Sequence, residues 1–295
     1  MLKENQRGFF VLIAFLITFI SLFSSDLYAY RAIQLDQPKI RLIIPPGQSA
    51  TGRIEVRNPS DEPKEIKIYI EDWFYADNTG TKTFMPPGSV SSSCADWIKF
   101  VPVEFTVSAF GKQYVNYTVT VPRDASGGHY AVLFFESLME KPQPQTQAMA
   151  VVPVAIRIGS LFYIEVEGKT ERTAQLSNLS IERNPEDKSL KISADFKNIG
   201  NVDITAGGSF HIMDSQGMVF ARGEFNKVYT FPNDTAKLTS QWKESLPEGK
   251  FDLIITIDLG KALLELGMGS GPVVVKEAEI QIGPDGEVIR VGELR

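Results

Sequence analysis

Apolar and polar residues alternate at period two along most of this chain. In Thr51–Asn58, Ile54 and Val56 share one face while Arg53, Glu55 and Arg57 take the other. Glu65–Trp73 repeats the pattern with Ile66, Ile68 and Ile70, and Ser189–Asn198 with Leu190, Ile192, Ala194 and Phe196. Such alternation belongs to half-buried antiparallel strands. Pro45-Pro46-Gly47, Pro59–Pro63, Val121–Gly128 and Asn184–Asp187 supply turn chemistry between them. No segment sustains a helical period. Short strands between close turns predict an all-β chain of sandwich type.

Two stretches depart from alternation. His129–Glu136 is nearly all apolar, as expected of a strand central to a sheet. Tyr75–Ser93 is polar and rich in Gly, Ser and Pro, which predicts a long loop. Beyond Lys169 the plan begins again. Ile54–Asn58 followed by a turn matches Ala194–Asn198 followed by a turn, and Val121-Pro122 through Tyr130 matches Leu246-Pro247 through Phe251. The repeat predicts two sandwiches of one kind in tandem, residues 30–168 and 169–260. A C-terminal extension, 261–295, either completes the second or hangs as a hairpin.

Met149–Val166 is β-branched and aromatic, and reads as one long strand. Val152, Val154, Ile156 and Ile158 share a face. Pro153 cannot donate to a ladder, which pushes the first half of the strand toward a sheet edge. The polar Lys141–Ala148 precedes it as a tether. An apolar edge strand after such a tether is either a binding surface or a covered core strand.

The N-terminus adds a compartment. Lys3 and Arg7 precede an apolar run from Phe9 to Phe23, and Leu27-Tyr28-Ala29 offers a cleavage point. This is the layout of a secretory signal peptide, 1–29. An uncleaved anchor is the competing reading, but the run falls short of the ~20 residues that span a bilayer. Stable membrane insertion after cleavage is not expected, and the mature chain is placed in the periplasm or outside the cell. Its 295 residues suffice for two domains, and a net charge of −6 gives no electrostatic footprint for nucleic acid. Cys94 is the one cysteine, so no intrachain disulfide forms.

Two families share these features. The first half resembles the PapD-like periplasmic chaperones of pilus assembly, through Pro45-Pro46-Gly47 before a strand ending at Asn58, the Val121-Pro122 bend, and Leu161-Phe162-Tyr163. The resemblance implies immunoglobulin-like sandwiches and donor-strand complementation: the strand before Leu161 offers its apolar stripe to an unfolded subunit. It also implies a basic residue in the first strand, Lys39 or Arg41 here, gripping the subunit's C-terminal carboxylate. Ser160 stands where that family has a second clamp residue, a lysine. Arg157 is the nearest base and points to the opposite face. The tandem plan also resembles WxL-interacting surface proteins, through Ala125–Tyr130 and the domain spacing. Those pair a peptidoglycan-associated domain with one that binds a surface partner. Their usual C-terminal membrane helix has no counterpart in Val291–Arg295.

No catalytic constellation stands out. His129 and His211 are isolated, and two histidines with one cysteine offer no zinc spacing. No cofactor or metal is expected, nor is enzymatic activity. Lys39, Arg41, Arg53 and Arg57 fall on outward strand faces, read singly as solvated. Trp73, Trp97, Phe100 and Tyr130 suit a sandwich core or an aromatic groove. The partner residues expected are Val152, Val154, Ile156, Ile158, Lys39, Arg41 and Arg157, and the partner is a secreted or surface protein subunit. The alternative is an envelope scaffold or adhesin that binds peptidoglycan or a surface protein.

Overall fold

The computed structural model describes residues 32–138, 155–264, 267–268 and 271–295. The signal segment, the tether and the stripe residues Val152 and Val154 lie outside the described residues. In the first half the strands are β1 (Gln34–Leu35), β2 (Lys39–Ile44), β3 (Ser49–Arg57), β4 (Lys64–Tyr75), β5 (Lys82–Met85), β6 (Ile98–Val101), β7 (Glu104–Val107), β8 (Lys112–Thr120), β9 (Gly128–Leu138) and β10 (Ala155–Val166). The second half adds β11 (Ala174–Arg183), β12 (Leu190–Asn198), β13 (Ile204–Met213), β14 (Val219–Glu224), β15 (Val228–Thr230), β16 (Thr235–Trp242), β17 (Gly249–Asp258), the short helix α1 (Lys261–Leu264), β18 (Val273–Ile282) and β19 (Val288–Val291).

Each half is a two-sheet sandwich, immunoglobulin-like in architecture. The first sets the sheet β1-β3-β8-β6 against β2-β10-β9-β4-β5, with β7 also on β4. The second sets β11-β12-β16 against β14-β13-β17-β18-β19, with β15 on β13. The alternating residues fill the interiors. Ile54, Val56, Ile66 and Ile68 join one core, and Leu190, Ile192, Phe196, Leu253 and Ile255 the other. Residues beyond 260 enter the second sandwich, since β18 pairs with β17 from Asp258↔Val273 to Gly249↔Ile282.

The repeat seen in the sequence has a shared device behind it. Asn58 follows β3 directly and Asn198 ends β12, and both are buried. The Asn58 amide donates to the Glu62 carbonyl at 2.6 Å, and that of Asn198 to the Val202 carbonyl at 2.9 Å. Each Oδ1 accepts the N–H two residues on, from Ser60 at 3.1 Å and Gly200 at 3.0 Å. One side chain thereby pins the turn in each sandwich.

The expected loop Tyr75–Ser93 contains a strand instead. β5 pairs with the end of β4, Tyr75↔Lys82 to Asp72↔Met85. Asp77 closes the hairpin by accepting the N–H groups of Thr79 and Thr81, and Gly80 adopts φ +98°. The turn-forming composition of this stretch hides a short strand whose ring, Phe84, packs against Phe134.

Candidate functional site

Strand β10 has two unlike halves. Leu161–Val166 lies between β9, antiparallel, and β2, parallel, in the register Leu161↔Lys39 to Val166↔Ile44. Ala155–Ser160 pairs with Leu138–Leu133 of β9 and with no other described strand. Proline sets this boundary. The Leu161 N–H donates to the Pro38 carbonyl at 3.0 Å. In the same parallel register the Gly159 carbonyl would next take the N–H of residue 38, and proline has none. The Ser160 hydroxyl, donating to the Gln37 carbonyl at 2.6 Å, closes the covered half. Backbone polar groups of alternate residues point to the same side of a strand. The N–H and C=O groups of Ala155, Arg157 and Gly159 therefore point to the uncovered edge.

Side chains on the open half also alternate. Ile158 packs on the first core and Ile156 is half-buried on the same face. Arg157 turns to the other face, as the sequence predicts. Its guanidinium lies 4.2 Å from the Phe134 ring centroid and donates to Glu71 at 3.0 Å and the Tyr69 hydroxyl at 3.3 Å.

At the covered end the strand runs into a junction between the sandwiches. Arg41 is not solvated, because its outward sheet face is roofed by the second sandwich; its side chain is 1% exposed. It donates to both Asp203 oxygens, at 3.0 and 2.6 Å, and to Glu165, which also accepts from Arg172. Burial opposes the guanidinium's charge, but Asp203 and Glu165 outweigh it and raise the Arg41 pKa. Burial likewise works against the Asp203 carboxylate, yet Arg41 holds it below the usual range. The Tyr130 hydroxyl accepts the Asp203 N–H at 2.6 Å and donates to its carboxylate at 3.2 Å. With these donors engaged inside the molecule, Arg41 is a fastener between domains rather than an open cation. Lys39, two pairs closer to the open half, lies 4.4 Å from the Tyr163 ring centroid.

Aromatic rings pack beside the ions. Trp73 meets Tyr75, Tyr130, Tyr163 and, from the second sandwich, Phe231 at centroid distances of 5.3, 5.8, 5.0 and 5.5 Å. The β4–β5 turn adds two polar ties: the Tyr229 N–H donates to the Asn78 carbonyl at 3.0 Å, and the Asn78 amide to the Thr235 carbonyl at 2.9 Å. Trp73 and Tyr130 thus fill neither the sandwich interior nor a groove, but the space between domains. Trp97 and Phe100 pack on the first core. Asp203, Glu165 and Arg172 were not singled out by sequence reasoning. Their one signal is Glu165, a lone charge inside the apolar run Leu161–Val166.

Neither His129 nor Cys94 builds a reactive pair. The His129 ring lies against Trp97, 4.1 Å between centroids, with its nitrogens facing the Ser93 and Ser126 carbonyls. Burial pushes the Cys94 thiol well above its usual pKa, and Asp72 adds to the effect. Among the described residues no group of three or more His, Cys, Asp or Glu is placed to hold a metal ion, and no helix is long and apolar enough to cross a membrane.

No protein-family model matches the chain, and no curated protein matches it. Solved structures are similar to it at low identity. The class 5 fimbriae chaperone CfaA shares 15% identity over 83% of this chain and 98% of its own, with a TM-score of 0.48. A structure of the Salmonella enterica SafA pilin in complex with the SafB chaperone matches at 12% identity, 83% and 95% coverage, and TM-score 0.40. The E. coli chaperone DraB matches at 11% identity, 83% and 96% coverage, and TM-score 0.39. The chain is all β, two tandem immunoglobulin-like sandwiches, and PapD-like fimbrial chaperones are among the solved structures similar to it.

Proposed function

We propose that this chain is a non-enzymatic, periplasmic, chaperone-like protein that binds secreted surface or pilus subunits by strand addition along β10. One observation carries the reading: along Ala155–Gly159 a strand of a well-packed sheet pairs on one side only among the described residues, with β9, because Pro38 ends its neighbour on the other. An exposed sheet edge is a template for an extended chain, whose backbone supplies affinity while alternate side chains supply specificity. Ile156 and Ile158 offer the apolar side of that template, and in the sequence Val152 and Val154, outside the described residues, keep the same period of two. Lys39 stands where the open edge closes and places a cation at the end of an incoming strand. The ionic and aromatic junction holds β10 rigid just beyond.

The test is capture of secreted subunits by the Ile156→Asp variant, whose folding is checked by its melting curve. Capture at least tenfold weaker than wild type is expected. Unchanged capture by the folded variant sinks strand addition. Retention on purified cell wall, with no subunit captured, overturns the chaperone reading in favour of a wall-binding scaffold.

A further inference from the structure

We propose that the outer face of the sheet β1-β3-β8-β6 is a docking surface for a lipid bilayer that carries anionic headgroups. Ile54, Val56, Val115 and Val119 turn into the core, so their strand neighbours turn outward. The ladder pairs Arg53↔Asn116, Glu55↔Tyr114 and Arg57↔Lys112 join β3 to β8, and Lys99↔Thr118 and Val101↔Asn116 add β6. The outward positions of these three strands hold four cations, Arg53, Arg57, Lys99 and Lys112, against one carboxylate, Glu55. Asp36 stands at the rim, where it accepts the Glu55 N–H. The chain as a whole carries −6, so positive charge gathers on this face against the overall sign.

Glu55 holds the group in place. It is buried at the centre of the face and accepts from the Tyr114 hydroxyl at 2.7 Å, from Arg57, and from Lys112 at 3.0 Å. Tyr114 first, then Arg57 and Lys112, keep its carboxyl well below the usual range. Arg57 and Lys112 nevertheless stay more than half exposed. Arg53 and Lys112 also lie over the Tyr114 ring, 4.6 and 5.5 Å from its centroid.

Apolar side chains stand among the cations. Val101 is 62% exposed, and Phe110, in the turn before β8, is 68% exposed. Phe110, Arg57, Lys112 and Gln34 line one open hollow of about 470 Å³. Phe110 takes φ +50°, a left-handed backbone that glycine accepts and bulky residues avoid, and its ring still faces water. Cations spread over three strands, with apolar groups protruding beside them, suit a headgroup layer better than a single acidic side chain.

Chain order favours the same occupant. Gln34 pairs with Arg57 at the rim, and the apolar run of the leader ends at Phe23, eleven residues earlier. Eleven residues reach at most roughly 40 Å. A leader lodged in a bilayer therefore keeps this face close to lipid, and a weak contact becomes a local one. β10 belongs to the other sheet, so the surface does not depend on strand addition.

The experiment sediments the mature chain, residues 30–295, with vesicles of phosphatidylcholine alone or mixed two to one with phosphatidylglycerol. Binding to the anionic vesicles should be at least about fivefold stronger, and should fall about tenfold as salt rises from about 0.05 to 0.3 M. Reversing Arg53→Glu and Lys99→Glu together spares the Glu55 bonds and should cost about fivefold with the melting temperature kept; Lys99→Glu alone takes its place should the pair fail to fold. Phe110→Gly suits the local backbone and should weaken binding about threefold. The same charge change on the second sandwich, Lys237→Glu with Lys250→Glu, should leave binding within about twofold. Equal binding to both kinds of vesicle, or binding undiminished by reversal at Lys99, overturns the proposal. An equal loss in the second-sandwich control also overturns it, by reducing the effect to net charge. Soluble polyglutamate that binds as tightly as the anionic vesicles, and loses as much on reversal, overturns lipid in favour of an acidic protein partner.

Discussion

Replacing Asp203 with Asn tests whether the buried ion cluster holds the two sandwiches together. The substitution keeps the size of the side chain and removes the charge that faces Arg41. Both partners are 1% exposed, so the guanidinium would be left with Glu165 alone, which it already shares with Arg172. Breaking a buried pair by removing one partner costs about 3–5 kcal/mol, and the surviving carboxylate argues for the lower end, about 3 kcal/mol. With a urea dependence of roughly 2–3 kcal/mol per molar, the unfolding midpoint should fall on the order of 1 M. Trp73 fluorescence reports the event directly, because its ring meets Phe231 across the junction. The sign with pH is also fixed. Asp203 is held below its ordinary value, so its contribution is fully present above the unfolded pKa, about 3.9, and is lost as pH falls through the lower folded value. The gap between wild type and Asp203→Asn should stay constant from pH 5 to 7 and narrow on acidification below about pH 4. A midpoint shift under 0.3 M (roughly 1 kcal/mol on that urea dependence), or a gap that widens in acid, refutes the reasoning.

Three further outcomes follow from the same geometry. Trp73→Phe removes the indole N–H bond to the Ala131 carbonyl, 3.0 Å, and opens space among four rings; calorimetry should show a loss of about 2–3 kcal/mol. Asn58→Ala strips a buried amide from the Glu62, Val107 and Ser108 carbonyls and should destabilise the first sandwich by about 2–3 kcal/mol in urea titration, while a surface-sized effect under 0.5 kcal/mol would deny its role as a turn pin. Pro38→Ala restores the N–H that Gly159 lacks, so β2 should lengthen and subunit capture should fall several-fold with no loss of stability; capture at wild-type strength would show that Pro38 does not keep the edge open.

Period two made the sandwiches legible, because an inward face is apolar whichever sheet it belongs to. Asn58 and Asn198 marked the repeat, and hydrogen bonding explains why that residue recurs at the end of each strand. What alternation cannot distinguish is water from a second domain. Arg41 and Trp73 occupy outward faces, and only the docking of Asp203 and Phe231 against them makes those faces interior. Val132 and Phe134 also lie on the outward face, where Tyr69, Phe84 and Arg157 of the first sandwich cover Phe134, which is why His129–Glu136 loses its alternation. The open half of β10 was readable from Pro153 and the stripe as an edge tendency. The agent that opens it, Pro38, acts on Gly159 across the sheet from 121 positions away in the chain and left no local mark.

The central claim is that a partner's backbone pairs with β10 at Ala155, Arg157 and Gly159. Residue-resolved amide hydrogen exchange, with and without a saturating client strand, measures it most directly. Binding should slow exchange at those three alternate amides and leave Ile156 and Ile158, already paired to β9, unchanged. Protection elsewhere on the surface, with Ala155, Arg157 and Gly159 exchanging at their free rates, would contradict the account.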